Sequence, residues 1–257
     1  MLVRLKDVLN GEKQTKLVTN RTLKGIADNI PSALNVLLQL IYFTGPAQDV
    51  TTPDGEFHSY CWHQYMQAPY SFRSCYIVWE NGYYLESAII FRSLLERFIQ
   101  TRFLYKHKEL ITSVWSGTKL PGKTSRKISY KDMFEDISPG YYEKWHGQQL
   151  SGFAHSKIAS INFRVKYDSA TKGTVIMIPE FDEVFATHII NMFCPLLFGY
   201  LNFFPIFFSS GFQSIPSDLS ADYNKSTSWL QSCMNSHKQA QPKSLSWFKY
   251  IDQIINP

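Results

Sequence analysis

The sequence predicts an all-α protein, mainly a helical bundle, with a small β-hairpin insertion around residues 160–178. Three observations predict it. Apolar residues recur at helical spacing along most of the chain. Val, Ile, Phe and Tyr concentrate on both sides of a turn in one place only. Aromatic residues make up 16% of the 257 residues against 18% charged, a balance that builds a core rather than leaving the chain disordered. We divide the chain into a bundle domain at 1–215, which includes the N-terminal helices, and a helical extension at 216–257 packed on it.

The elements follow in order. "VTNRTLKGIADNIPSALNVLLQLIYF" carries apolar residues at helical period after a Thr/Asn cap. Pro31 fits a helix start, so a short helix and then a longer one to about Phe43 are expected. "TGPAQDVTTPDGE" is a loop on its Gly, Pro and Asp content. "FHSYCWHQYMQAPYSFRSCYIVWE" has a helical period with an interruption expected near Pro69. "NG" at 81–82 is a turn, and from Tyr83 a helix runs to His107.

The stretch 116–131 reads as a loop and holds Lys119, Lys123, Arg126, Lys127 and Lys131 with no acid. That is either a solvated loop or a surface for phosphates. Short helices are expected at 131–137 and 140–158. "INFRVKYDSATKGTVIMIP" places two β-rich runs around a turn with Ser, Lys and Gly, hence the hairpin. From Glu183 to Asp218 no charged residue intervenes, long enough for a bilayer. Asn191, Pro195, Asn202 and Pro205 interrupt it and no basic cluster flanks it, so a buried central helix is expected, with a membrane-active segment at 184–212 as the alternative. One or two amphipathic helices end the chain in "LSWFKYIDQII".

The net charge of +5 permits a nucleic-acid or anionic-membrane partner without demanding one. The four cysteines form no CxxC pair, and "MLVRLKDVLNGEKQTK" has no apolar signal core, which points to a reducing, cytoplasmic setting. His58, Cys61, His63 and Cys75 match no zinc spacing, so neither a metal nor another cofactor is expected. Gly-rich phosphate loops and serine-hydrolase elbows do not occur.

Placed at about 100° per residue, Phe91, Leu94, Leu95, Phe98 and Tyr105 share one stripe of the long helix, with Arg102 in its middle. Arg92 and Glu96 lie one turn apart on its flank. Ser93, Arg97, Gln100 and Glu86 take the opposite, polar face. An inward guanidinium needs acceptors, because a buried unpaired charge costs several kcal/mol. Glu96 suits Arg92. Arg102 has no local acid and needs a partner elsewhere in the fold, a ligand phosphate, or a reach to water. His107 lies about 140° from Arg102 around the helix, so the two converge only if the last turn distorts or a dimer shares the site. Ser151 and His155 stand one turn apart, and His155 is an acid/base candidate.

The run "AIIFRSLLERFIQTRFLYKH", followed some fifty residues later by "LSGFAHSK", resembles a bacterial family of unknown function grouped with the HEPN superfamily of small helical bundles. That family pairs an Arg-x3-Glu helix with a Ser-x3-His element, and Arg92, Glu96, Ser151 and His155 are the matching positions over about 83–205. HEPN proteins typically carry Arg-x4–6-His and act as metal-independent RNases, usually dimeric and often in toxin, abortive-infection or antiviral defence systems. "RFLYKH", from Arg102 to His107, fits that pattern, although Phe103 stands where a polar residue is usual.

The resemblance implies a metal-independent endoribonuclease-like effector, with RNA as substrate and a homodimer or an operon-encoded protein as partner. A histidine would move protons at the 2′ or 5′ oxygen, an arginine would stabilise charge on the phosphate, and the 119–131 loop would hold the backbone. Two other readings stand beside it. One is a non-catalytic regulatory subunit whose Arg92–Glu96 pair is structural; the other is a membrane-acting toxin.

Overall fold

The computed structural model describes residues 4–47, 49–111, 128–143, 165–168, 173–176, 179–240 and 251–256, with only the backbone described at 165–168, 173–176 and 237–240. The protein is all-α in its main architecture. The helices are α1 (Leu5–Thr22), α2 (Lys24–Ala27), α3 (Ile30–Thr44), α4 (Pro53–Glu80) and α5 (Tyr84–Lys106), the last followed by a 3-10 turn at Lys108–Leu110. After them come α6 (Tyr130–Ile137), α7 (Glu183–Phe207), α8 (Ser209–Gln213), α9 (Ser217–Ala240) and α10 (251–255). Within the 160–178 interval, β1 (Val165–Asp168) and β2 (Gly173–Ile176) pair antiparallel, with Val165 opposite Ile176 and Asp168 opposite Gly173.

Local chemistry sets the helix starts. Thr52 caps α4 by accepting from the Gly55 amide at 3.1 Å, with Pro53 in the first position. Ser129 and Asp132 close a capping box on α6. Asp182 accepts from the amides of Val184 and Phe185 at the start of α7. Asn81 and Gly82 turn the chain from α4 into α5. Gly82 has φ +87°, and a Cβ there would lie 2.9 Å from the Thr15 methyl of α1.

Pro69 does not interrupt its helix: α4 runs unbroken through it, as α7 runs through Pro195 and Pro205. Each proline removes one donor and frees the carbonyl four residues earlier. For Pro205 that carbonyl is Leu201, and the Tyr223 hydroxyl of α9 donates to it at 3.4 Å. The tertiary fold thus supplies the bond that the local sequence lacks.

The helix α7 is buried along most of its length. Its Tyr200 is the hub, 4.8 Å between centroids from Phe98 of α5 and 5.2 and 5.0 Å from Phe72 and Tyr65 of α4. Offset and edge-on rings at such separations add about 0.5–1.5 kcal/mol a pair beyond their burial. The polar ends are also used. Tyr65 donates to the Tyr200 carbonyl at 3.2 Å, Tyr200 to the Leu94 carbonyl at 3.1 Å, and Trp79 to the Ala186 carbonyl at 2.9 Å. By length and composition Lys24–Thr44 and Glu183–Phe207 are both apolar enough to cross a membrane, and most of the second is buried inside the fold. Cys61, Cys75 and Cys194 are buried free thiols, raised by burial above the ordinary thiol range.

Candidate functional site

Helix α5 and its C-cap carry Arg92, Glu96, Arg102 and His107, and the structure sends them to three different places. Arg102 turns inward. Its Nη1 donates to the backbone carbonyls of Gln253, at 2.7 Å, and Ile254 in α10, and its guanidinium carbon sits 4.3 Å from the centre of the Phe203 ring of α7. Carbonyls in the last turn of a helix have no partner within it, and they carry the negative end of the helix dipole. Arg102 satisfies both needs. Burial draws its pKa down to about 10, which leaves it protonated near neutrality. Asn202 adds a bond to the Ile255 carbonyl at 3.1 Å, and Ser138 bonds the Gln253 side chain at 2.8 Å. The partner that Arg102 needed is therefore main chain, some 150 residues away in sequence, which local periodicity could not reveal.

His107 ends α5 and leaves the helical path, with φ −127° and ψ 57°. Its Nε2 lies 3.4 Å from Asp136 Oδ1 of α6, its Nδ1 3.8 Å from Glu109, and its ring stacks 4.5 Å from Phe103. Lys106 reaches the same Asp136 carboxylate at 3.2 Å, and Lys108 pairs with Asp54 at the start of α4. About a third of the His107 side chain is exposed. Nδ1 stands beyond hydrogen-bond distance of Glu109, while Asp136 orients the other nitrogen. Arg102 and His107 engage different elements and do not form one site.

Arg92 and Glu96 form the expected pair, Nε to Oε1 at 2.8 Å, with both side chains about four-fifths buried. Tyr130, at the head of α6, stands beside them: its phenol is raised by burial first, raised further by Glu96, and lowered by Arg97 and Arg92. Arg97 departs from expectation. Its solvent-facing placement holds only in part, because its Nη1 is buried, and among the described residues nothing accepts a hydrogen bond from it. Helical angle alone assigns Arg97 to the polar face. α6 packs against α5, and the Arg97 charge acts on Tyr130 of α6 and on the buried Tyr200 of α7, neighbours without a signature in the α5 sequence. Tyr105, placed in the core stripe, is 38% exposed at the helix end, although its ring still meets Phe57 and Phe207 at 5.6 and 5.2 Å.

Lys131 pairs with Glu143 at 2.7 Å on the surface, which holds its pKa up and that of Glu143 down. Lys119, Lys123, Arg126, Lys127, Ser151 and His155 lie outside the described residues, as does most of the helix expected at 140–158. Among the described residues no three His, Cys, Asp or Glu side chains gather as a metal site. His58 instead contacts the Gly45 carbonyl at 3.2 Å.

The fold and these clusters define a helical bundle with a charged, histidine-bearing helix end. Compared with family models, with curated proteins and with solved structures, the chain matches none.

Proposed function

We propose that the protein is a HEPN-like, metal-independent endoribonuclease-type effector that works from the C-terminal end of α5. The paired strands near 160–178 are, in this reading, an insertion carried by the bundle. The observation that supports it is the accessible His107, held by Asp136 and flanked by Lys106 and Lys108, four chemically matched groups on one exposed edge. His107 Nδ1 takes the proton of an RNA 2′-hydroxyl. The 2′ oxygen bonds to phosphorus, the bond to the 5′ oxygen breaks, and that oxygen leaves as an alcohol after accepting a proton from water. Lys106 offsets the charge that builds on the phosphate, in place of the sequestered Arg102. Phe103, itself buried, backs the His107 ring at 4.5 Å and helps to hold its plane. The effector serves antiviral defence or toxicity in the cytoplasm, as a homodimer or with an operon-encoded partner.

The saturation of Arg102 by α10 favours a second reading, a non-catalytic subunit that binds a partner protein. Incubation with fluorescently labelled RNA in EDTA separates the two. Cleavage by the wild type that His107→Ala lowers at least a hundredfold supports the nuclease. RNA left intact by a folded wild-type protein, alone and with the products of neighbouring genes, favours the subunit.

A further inference from the structure

We infer that the outer face of α1 docks on an anionic membrane surface. This helix is turned the unusual way round. Its buried residues are Thr15 and Thr19, while Leu5, Leu9 and Leu17 stand 73%, 53% and 55% exposed. At about 100° per residue those leucines share an arc of about 120° with Lys6, Lys13 and Lys16. An exposed leucine standing singly needs no explanation, but three on one face of a helix that buries threonines do.

The acids of α1 lie outside that arc and are engaged elsewhere. Asp7 accepts from the Arg4 amide at 2.9 Å at the start of the helix, and Glu12 accepts from the Tyr83 hydroxyl at 2.5 Å. Lys16 pairs with the buried Glu80 at 2.9 Å and still stays half exposed. The arc is therefore cationic as well as apolar, the composition of a helix that lies in a membrane interface. Anionic headgroups attract the lysines, and the acyl boundary takes the leucines. A nucleic-acid backbone offers the lysines as much but leaves the leucines in water. A second copy of the face would set its lysines against their like.

The inward contacts make the face ready to use. The Lys16–Glu80 and Glu12–Tyr83 bonds fix α1 to the end of α4 and the start of α5, and Thr15 lies close over Gly82 between them. The helix meets a lipid surface without leaving the bundle. Three leucines and a few lysines give shallow, reversible binding, unlike the spanning that the length of the buried α7 would allow. The proposal goes beyond the RNA reading, uses none of its residues, and is tested without cleavage.

The test is flotation of the full-length protein with vesicles of equimolar phosphatidylglycerol and phosphatidylcholine, beside vesicles of phosphatidylcholine alone. We expect binding to the anionic vesicles that weakens as salt rises, and much weaker binding to the neutral ones. The triple variant Leu5→Gln, Leu9→Gln, Leu17→Gln should melt with the wild type, because those side chains already lie in water. It should bind at least about a hundredfold more weakly. Lys6→Gln with Lys13→Gln should weaken binding about ten- to thirtyfold, and this pair decides if the triple variant does not fold. Wild type that stays off the anionic vesicles, or binds neutral ones as tightly, overturns the proposal. Equal binding by wild type and both variants also overturns it and assigns the membrane contact to another segment. With no vesicle bound, capture of an RNA oligonucleotide that only the lysine pair weakens overturns it in favour of a nucleic-acid face. With no vesicle bound, a dimer that the leucine triple dissociates overturns it in favour of self-association.

Discussion

Arg102 of α5 donates from Nη1 to the carbonyl oxygens of Gln253 and Ile254, and so fastens the last helix of the chain to the middle of the bundle. Replacing it with Met leaves those carbonyls unmatched in a buried place and removes the cation from the Phe203 ring. A loss of about 2–4 kcal/mol in urea unfolding is expected. Arg102→Lys should recover only part of it, because an ammonium lacks the planar fork. The coupling can be isolated. Removal of residues 251–257 also strips three buried isoleucines from the core, so it should destabilise both proteins, but by about 2–4 kcal/mol less in the Arg102→Met background. Additive losses would separate the arginine from α10.

Gly199 of α7 lies where α5 and α10 meet. A Cβ there would approach the Phe98 ring at 3.1 Å and the Ile255 methyl at 3.0 Å, both fully buried. Alanine would gain about 1 kcal/mol of helix propensity, but overpacking a closed core costs about 1–3 kcal/mol. Gly199→Ala should therefore lower stability by about 1 kcal/mol, read as a shifted denaturant midpoint at constant slope. A gain would mean that α10 yields easily.

His188 on α7 has its pKa lowered by burial. In the unfolded chain a histidine titrates near about 6.5. Between the lowered folded value and that unfolded value, the unfolded state binds more protons, so stability rises with pH. Above the unfolded value His188 contributes no penalty; as pH falls below it, stability is lost until the folded value is passed. Urea midpoints at pH 7.5 and 5.5 should show a smaller acid loss in His188→Gln than in the wild type. Equal losses would remove His188 as a cause.

Much of the fold was legible in the sequence. The turn at Asn81–Gly82, the helices either side of it and the buried character of α7 follow from period, punctuation and the lack of charge. The inward direction of Arg102 was legible too, but its partners were not, since they are main-chain atoms far along the chain. Pro69 misled for a related reason: a proline marks a lost local bond, and whether the helix breaks depends on what packs around it. Arg97 shows the same limit, because a helical wheel knows nothing of the residues on other helices that its charge will meet. The Arg92–Glu96 pair was readable because both partners sit on one helix.

The proposed chemistry at His107 is tested most directly by the ends of the RNA that the protein produces in EDTA. Mapping those ends for wild type, His107→Ala and Asp136→Asn should find 2′,3′-cyclic phosphate and 5′-hydroxyl termini with the wild type. They should be lost with His107→Ala and reduced about ten- to a hundredfold with Asp136→Asn, which removes the orienting charge. Uncut RNA, or the same ends at the same rate from His107→Ala, would contradict the assignment.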